Sequence, residues 1–376
     1  MPKSKPRRLA VAILLAMIGV SANAVPPSKP LPAFPGAEGF GAAASGGKDG
    51  TVYHVTTLED SGPGSFRDAV SQQHRMVVFD VGGTIILKSP VAVQSDITID
   101  GLSAPGSGIG VFGQEVSFSQ AKNIIVRYIR FRQGIGGRRG QSAVGLRGGS
   151  DLIFDHVSIA WGRWDTIDMN KASDVTFQNC LIGPGVNPQR FGCLCQSDDI
   201  TFSHCLWIDN QSRNPKAKGH IQFINNVVYN WGVDGFVGGH SAADHFADLI
   251  GNIFIKGPSS NDRFIGEYTA TDHFYQSGNL VDLDRDGKFE GRPIVPADFD
   301  AALTLASHPY LTPAIPVTVD PPSKAFAEII AGVGDSHPRD AVDADLIAQL
   351  QSMGTRGATI EDPAEMGIAG PWNGKL

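Results

Sequence analysis

Arg213-Asn214-Pro215 follows one strand-like segment, Ile200 to Ile208, and precedes another, His220 to Tyr229, which puts an arginine on a turn where a solvent-facing groove can form. Other charged residues gather in patterns that suit particular chemistries. Arg127, Arg130, Arg132, Arg138, Arg139 and Arg147 form a basic stretch in a chain of net charge −7. Where they alternate, as Arg130 and Arg132 do, they point to one face of a strand and could line a groove for an anionic polymer; a solvated turn surface is the competing reading. Asp282, Asp284, Asp286 and Gly287 resemble the start of a calcium loop with Glu290 close by, although Pro293 stands where the closing glutamate belongs. Asp198-Asp199 is an adjacent aspartate pair, of interest because an inverting glycoside hydrolase needs two carboxylates about 6.5 to 9.5 Å apart. It precedes a core strand as a turn would. Nucleic acid is not the expected partner, since aromatic stacking residues are not interleaved with the basic ones.

These residues need a scaffold, and an internal repeat supplies it. Leu152-Ile153-Phe154-Asp155-His156-Val157, Val175-Thr176-Phe177-Gln178-Asn179-Cys180, Ile200-Thr201-Phe202-Ser203-His204-Cys205, Ile221-Gln222-Phe223-Ile224-Asn225-Asn226 and Ala247-Asp248-Leu249-Ile250-Gly251-Asn252 align without gaps. Asp272 to Asn279 and Ile124 to Ile129 read as further copies. The aligned last positions recur at about 21 to 27 residues, the length of one solenoid turn. Each copy alternates Ile, Val, Phe and Thr between Gly, Asn, Asp or Pro, the mark of a short strand between turns. One turn cannot bury its apolar face alone, so the turns must stack. At the strand spacing of roughly 4.8 Å, Asn226, Asn252 and Asn279 lie one above another with their amides placed to form a ladder. Cys180 and Cys205 fall in the same column and could pair or stay free. With Cys193 and Cys195 they make an even count compatible with an oxidising compartment, and their spacing is not that of paired zinc-binding CxxC motifs.

Lys3, Lys5, Arg7 and Arg8 precede the apolar run Leu9 to Val20, and Ala22-Asn23-Ala24 supplies small residues for cleavage. Residues 1–24 therefore read as an export signal, too short in its apolar part to span a bilayer, and the protein is expected to be secreted or periplasmic. Residues 25–35 form a proline-rich lead-in. With 45 glycines and 18% charged residues, the composition suits one large, turn-rich, all-β domain, expected over residues 36–292. From Pro293 prolines cluster and Asp340 to Leu350 takes on helical spacing. Residues 293–376 are expected to form an extension that caps the solenoid end, where an open edge would otherwise invite association. A monomer is expected.

Several segments together carry a family resemblance. Ala33-Phe34-Pro35-Gly36-Ala37-Glu38-Gly39-Phe40-Gly41, Tyr53-His54-Val55-Thr56 with Asp60-Ser61-Gly62-Pro63-Gly64-Ser65-Phe66-Arg67, and Val77 to Ile85 resemble bacterial pectate lyases of polysaccharide lyase family 1. The likeness continues through Asp155-His156-Val157-Ser158, Ser212-Arg213-Asn214-Pro215, Asn225 to Gly232 and Pro338-Arg339-Asp340-Ala341-Val342-Asp343, in order along most of the chain. It implies a right-handed parallel β-helix, export, and β-elimination of a polyuronate such as pectate.

The resemblance also implies roles. Removing the C5 proton of a galacturonate needs a positioned base and a charge that neutralises the adjacent carboxylate. Arg213 matches the family's catalytic arginine, assigned as the base. Because a guanidinium is essentially always protonated, substrate and metal must perturb it or it acts chiefly through charge. Lys218, five residues on, matches the second, substrate-binding basic position, where arginine is more usual. Arg190 lies near a third. The family's calcium ligands fall here on Ser142, Trp164 and Asp168, with Asp165 beside Trp164 able to substitute, so Asp165 and Asp168 are the expected Ca²⁺ ligands. Two readings follow: Ca²⁺ is recruited with substrate through Asp165, Asp168 and Asp155, or fixed cations replace it, as in the related calcium-independent pectin lyases. A catalytically inactive carbohydrate-binding β-helix is the third class. The companion motifs of polygalacturonases, Gly-His-Gly and Arg-Ile-Lys, are absent from the sequence.

Overall fold

The computed structural model describes residues 1–3, 30–299 and 303–373. Most of the expected export signal, and residues 25–29 of the lead-in, lie outside those residues. No described helix is long and apolar enough to cross a membrane.

Short strands pair in parallel with their equivalents one coil away and build a parallel β-helix. One sheet climbs from Thr51–Val55 through eleven successive strands to Thr304–Leu305, and a second sheet holds ten. Three long strands, Asp165–Gln178, Phe191–Ser203 and Lys216–Ile224, each turn a corner part-way, where the register shifts between Asn170 and Ser173 and again between Ser197 and Ile200. The first half of each long strand therefore belongs to one face of the coil and the second half to another. Alternation on the first halves is clean: Ile167, Met169, Cys193, Cys195 and Ala217 are buried, while Asp168, Asn170, Leu194, Gln196, Lys216 and Lys218 point outward and stay partly exposed.

The repeat stacks as its alignment requires. Phe154, Phe177, Phe202 and Phe223 sit in register on successive coils, with Phe154 and Phe177 stacked at 4.5 Å between ring centroids. One residue per coil turns the corner in the left-handed region: Tyr128, His156, Asn179, His204 and Asn225 have φ between 51 and 54°, and Gly251 and Gly278 continue the column at 65 and 67°. Glycine meets no steric cost there and asparagine little, which explains the repeat's punctuation.

The asparagine ladder forms. Asn226 Nδ2 donates to Asn252 Oδ1 at 3.1 Å and Asn252 Nδ2 to Asn279 Oδ1 at 2.9 Å, and each Oδ1 also accepts the backbone N–H of the coil before. Asn252 is fully buried. Asn252→Ala leaves buried donors and acceptors unmatched and should destabilise the protein by about 2–3 kcal/mol in urea unfolding. The four cysteines are buried and unbridged.

The C-terminal segment adds Thr304–Leu305 to the last strand of the first sheet and then runs back along the flank of the coil. Helices Pro322–Gly332 and Ala341–Gln351 pack Ile329, Val342, Leu346 and Leu350 against Leu181, Leu206, Val227 and Ile253 of the second sheet. This placement corrects the reading of the basic stretch. Arg130 and Arg132 do share a face, on strand Arg130–Arg132, but that face looks into the flank, not into a groove. Both are about 5% exposed: Arg130 pairs with Asp335 at 3.0 Å, and Arg132 pairs with Asp340 at 2.6 Å and Asp343 at 2.7 Å. The family-like segment Pro338 to Asp343 supplies counter-charges to both. Arg138 and Arg139 are exposed, as the solvated-surface reading expects.

In the calcium-loop-like segment each carboxylate caps a nearby N–H. Asp284 accepts from Asp286 at 3.2 Å, Asp286 from Lys288 at 2.8 Å, and Asp282 from Glu290 at 3.2 Å.

Candidate active site

Arg213 is built into place by its own backbone. Its φ of 61° is uncommon for a non-glycine residue and costs of order 1 kcal/mol or more, so the surroundings must over-determine it. They do so with buried amides. Asn214 Oδ1 accepts from Asn210 Nδ2 at 3.0 Å, Asn214 N–H donates to the Gly235 carbonyl at 3.1 Å, and the Arg213 carbonyl accepts from Cys193 N–H at 2.7 Å. A Cβ on Gly192 would lie 2.4 Å from that carbonyl, so the adjacent coil can approach only with glycine there.

The side chain is then gripped from both sides. Its guanidinium lies over the Phe191 ring at 4.1 Å, and Nη1 donates to both carboxylate oxygens of Asp165 at 3.0 Å. Asp165 and Phe191 are in register on adjacent coils, and Phe191 bridges to Ser212 on the next. Asp165 is fully buried. Burial pushes its carboxyl up to about 7, with Arg213 opposing that shift.

Outward side chains extend the site along the same face. Gly145, Asp168, Leu194, Lys216, Val237 and Gly266 form one cross-coil row. Arg147, Asn170, Gln196 and Lys218 form the row beside it. Arg147 reaches across to Asp168, Nη2 to Oδ2 at 2.6 Å, with its own side chain 69% exposed. Lys216 stands between Arg213 and Lys218; burial and then the charge of Arg213 lower its pKa. The result is a partly exposed strip with cations from two coils, Arg147 on one and Arg213, Lys216 and Lys218 on the other, and two carboxylates beneath them.

No family model matches the chain. The probable pectate lyase C of Neosartorya fischeri is 46% identical over 348 residues, which cover 92% of this chain and 83% of that protein. The probable pectate lyase C of Aspergillus terreus is 44% identical over 371 residues, covering 98% and 87%. The chain belongs to the pectate lyase family. These relatives are fungal, so they support the family and not the bacterial qualifier. The fold is shared with a thermostable pectate lyase (TM-score 0.59, 14% identity, 81% of this chain and 98% of that one) and with a pectate lyase bound to a hexasaccharide (TM-score 0.57, 14% identity, 83% and 99%).

Within this pectate lyase-family fold, the expected site residues do not all converge. Arg213, Asp165, Asp168 and Lys218 share one face. Arg190 turns away to Glu361 of the C-terminal segment, 2.8 Å distant. Asp155 is committed elsewhere, to Arg127 at 2.8 Å and to His156 at 2.9 Å. Ser142 is buried, Trp164 is 39% exposed, and Asp198 is exposed at the corner of its strand.

Asp165 and Asp168 are each held by a different arginine. Arg213 occupies both oxygens of the enclosed Asp165. A second carboxylate whose charge acts on this region is that of Glu115, two coils earlier. A Cβ on Gly145 would lie 2.4 Å from Glu115 Oε1, so the absent side chain leaves Glu115 room toward the row that holds Asp168. The Glu115 carboxylate makes no hydrogen bond or ion pair among the described residues. Burial raises its pKa, the charge of Arg147 opposes the shift and that of Asp168 adds to it. Two oxygen donors of this kind suit a hard cation such as Ca²⁺, provided the exposed Arg147 arm swings aside.

Glu115, Phe191 and Lys216 escape a reading of the sequence alone. Lys216 does alternate with Lys218 on one strand, which is a usable signal. Glu115 carries none, since its relevance depends on the gap left at Gly145.

Proposed function

We propose that this chain is an exported lyase that cleaves pectate by β-elimination, with Arg213 at the reacting carbon. The observation that carries the reading is the Arg213 side chain, held in a left-handed turn between Phe191 and Asp165 on an open face of a pectate lyase-family β-helix. Residues 36–292 carry the activity in this reading, and the segment from 293 onward braces the coil.

In the reaction the C5–H and C4–O4 bonds of a galacturonate break, a C4–C5 double bond forms, and the departing O4 takes a proton from solvent. Arg213 stands where the C5 proton leaves and where negative charge spreads onto the carboxylate. Asp165 beneath it fixes the guanidinium and, with its carboxyl near 7, can share a proton with it. Lys218 holds a neighbouring sugar carboxylate as a point charge. Asp168 and Glu115 are the residues that would hold Ca²⁺, which when bound neutralises the substrate carboxylate. Arg147 occupies that role toward Asp168 otherwise. The pattern Lys3 to Ala24 supports export.

The test is ultraviolet absorbance of unsaturated product on polygalacturonate and on methylated pectin, with calcium or with chelator. Calcium-stimulated product from polygalacturonate is expected, half-maximal on the order of 10⁻⁴–10⁻³ M as for other extracellular calcium sites built from few ligands. Glu115→Gln should raise that concentration about tenfold and, by calorimetry, weaken Ca²⁺ binding equally. Undiminished product in chelator would assign neutralisation to the fixed arginines instead. A new reducing end without unsaturation, or no product, would sink the lyase reading.

A further inference from the structure

Lys216 is not accounted for by the proposed chemistry, and its surroundings are unusually specific. Its side chain is only 12% exposed although it lies on the outward row. Nζ sits 3.1 Å from His240 Nε2, and His240 Nδ1 lies 3.0 Å from the backbone carbonyl of Glu267. A carbonyl can only accept, so Nδ1 carries the hydrogen and Nε2 is left as an acceptor for one Lys216 N–H. The imidazole is thereby aligned to hold the ammonium.

The loop that presents His240 is itself fixed. Buried Asp272 accepts N–H groups from Gly239 at 2.7 Å, His240 at 3.2 Å and Thr269 at 2.7 Å. Glu267 Oε2 lies 3.9 Å from Lys216 Nζ, beyond hydrogen-bond reach. Two of the three N–H donors of Lys216 thus have no protein acceptor among the described residues.

Lys216 also stands between two other cations. Arg213 and Lys218 both act on it with like charge, while Asp165 and Glu267 oppose them. Asp165 is already bound by Arg213, and Glu267 is 43% exposed. A row of like charges with spare donors is relieved by an anion seated between them.

We propose that Lys216, aimed by His240, forms a binding position for the free carboxylate of the uronate unit next to the one served by Arg213. The site would thus select for de-esterified sugars on both sides of the cut. This rests on the pectate lyase reading of the same face. A methyl ester at that position offers no charge to the ammonium and leaves two of its N–H donors unmatched beside Arg213, which is the penalty that discriminates.

Binding and turnover are measured separately to test it. Calorimetry with a galacturonate oligomer should show about tenfold weaker binding for Lys216→Met than for the unchanged protein, and about threefold for His240→Gln, which removes the aim but keeps the charge. In turnover, Lys216→Met should raise KM on polygalacturonate about tenfold with kcat within about twofold, and narrow the preference over methylated pectin by a similar factor. Circular dichroism and thermal unfolding check that both variants fold; should Lys216→Met misfold, His240→Gln carries the test alone. Unchanged oligomer affinity, or equal losses on both polymers, would overturn the subsite. Tight oligomer binding that depends on Lys216 in a protein that forms no unsaturated product would retain the subsite and overturn the lyase reading.

Discussion

Arg213→Ala should lower unsaturated-product formation from polygalacturonate by about 10³-fold, with the loss in kcat, because it removes the group placed at the reacting carbon. Arg213→Lys should lose somewhat less, since a point charge cannot keep both contacts to Asp165 and the stack on Phe191. The fold should survive either change. Losing a partner usually strands a buried charge, but Asp165 already titrates near 7 and can take a proton when Arg213 goes. Retained turnover in Arg213→Ala would place the base elsewhere.

The same pair gives opposite pH trends for activity and stability. Asp165 is shifted from an ordinary value of 3.8 up to about 7, so the folded protein binds the extra proton between those limits. Its contribution to stability is therefore largest below pH 4 and is lost as pH rises through 7. Activity should run the other way and rise through pH 7, as ionised Asp165 grips Arg213. Asp165→Asn should flatten that limb in a pH profile of kcat/KM; an unchanged limb would assign it to another group.

Arg132→Ala should destabilise the protein by about 3–5 kcal/mol in denaturant unfolding, the usual cost of breaking a buried ion pair by removing one partner. The guanidinium joins Asp340 and Asp343 in the C-terminal segment to the second sheet, and Ser158 Oγ completes the set by donating to Asp343 at 2.6 Å. Burial alone would raise the Asp340 carboxyl, yet Arg132 draws it down to about 2. Its contribution is present above about pH 4 and lost as pH falls through 2. Arg132→Met, which fills the space between Trp161 and Trp372 without the charge, should cost less than Arg132→Ala through retained packing, although it too leaves the aspartates unpaired. A variant as stable as the unchanged protein would show that the flank segment is not braced there.

Much of the fold was legible because a solenoid is nearly one-dimensional. Each coil meets only its neighbours, so the 26- and 27-residue spacings of Asn226, Asn252 and Asn279 translate directly into a vertical ladder. Arg213 was legible for a related reason: its turn is local, and its strained backbone is specified by residues within a coil of it. Arg130 and Arg132 show the limit. Alternation places them on a common face, but whether that face meets water or the returning chain depends on Asp335, Asp340 and Asp343, some two hundred residues later.

The coil, its core columns, the family and the arginine at its centre could all be read from the order of residues, since they arise from short-range periodicity and from contacts between adjacent repeats. Which charges stay open to solvent was decided only when the chain folded back on itself. Folding turned Arg190 to Glu361, buried Asp165 under Arg213, opened the gap at Gly145 toward Glu115, and set His240 against Lys216. A charge's role depends on its partner and its access to water, and both are fixed by residues distant in the chain.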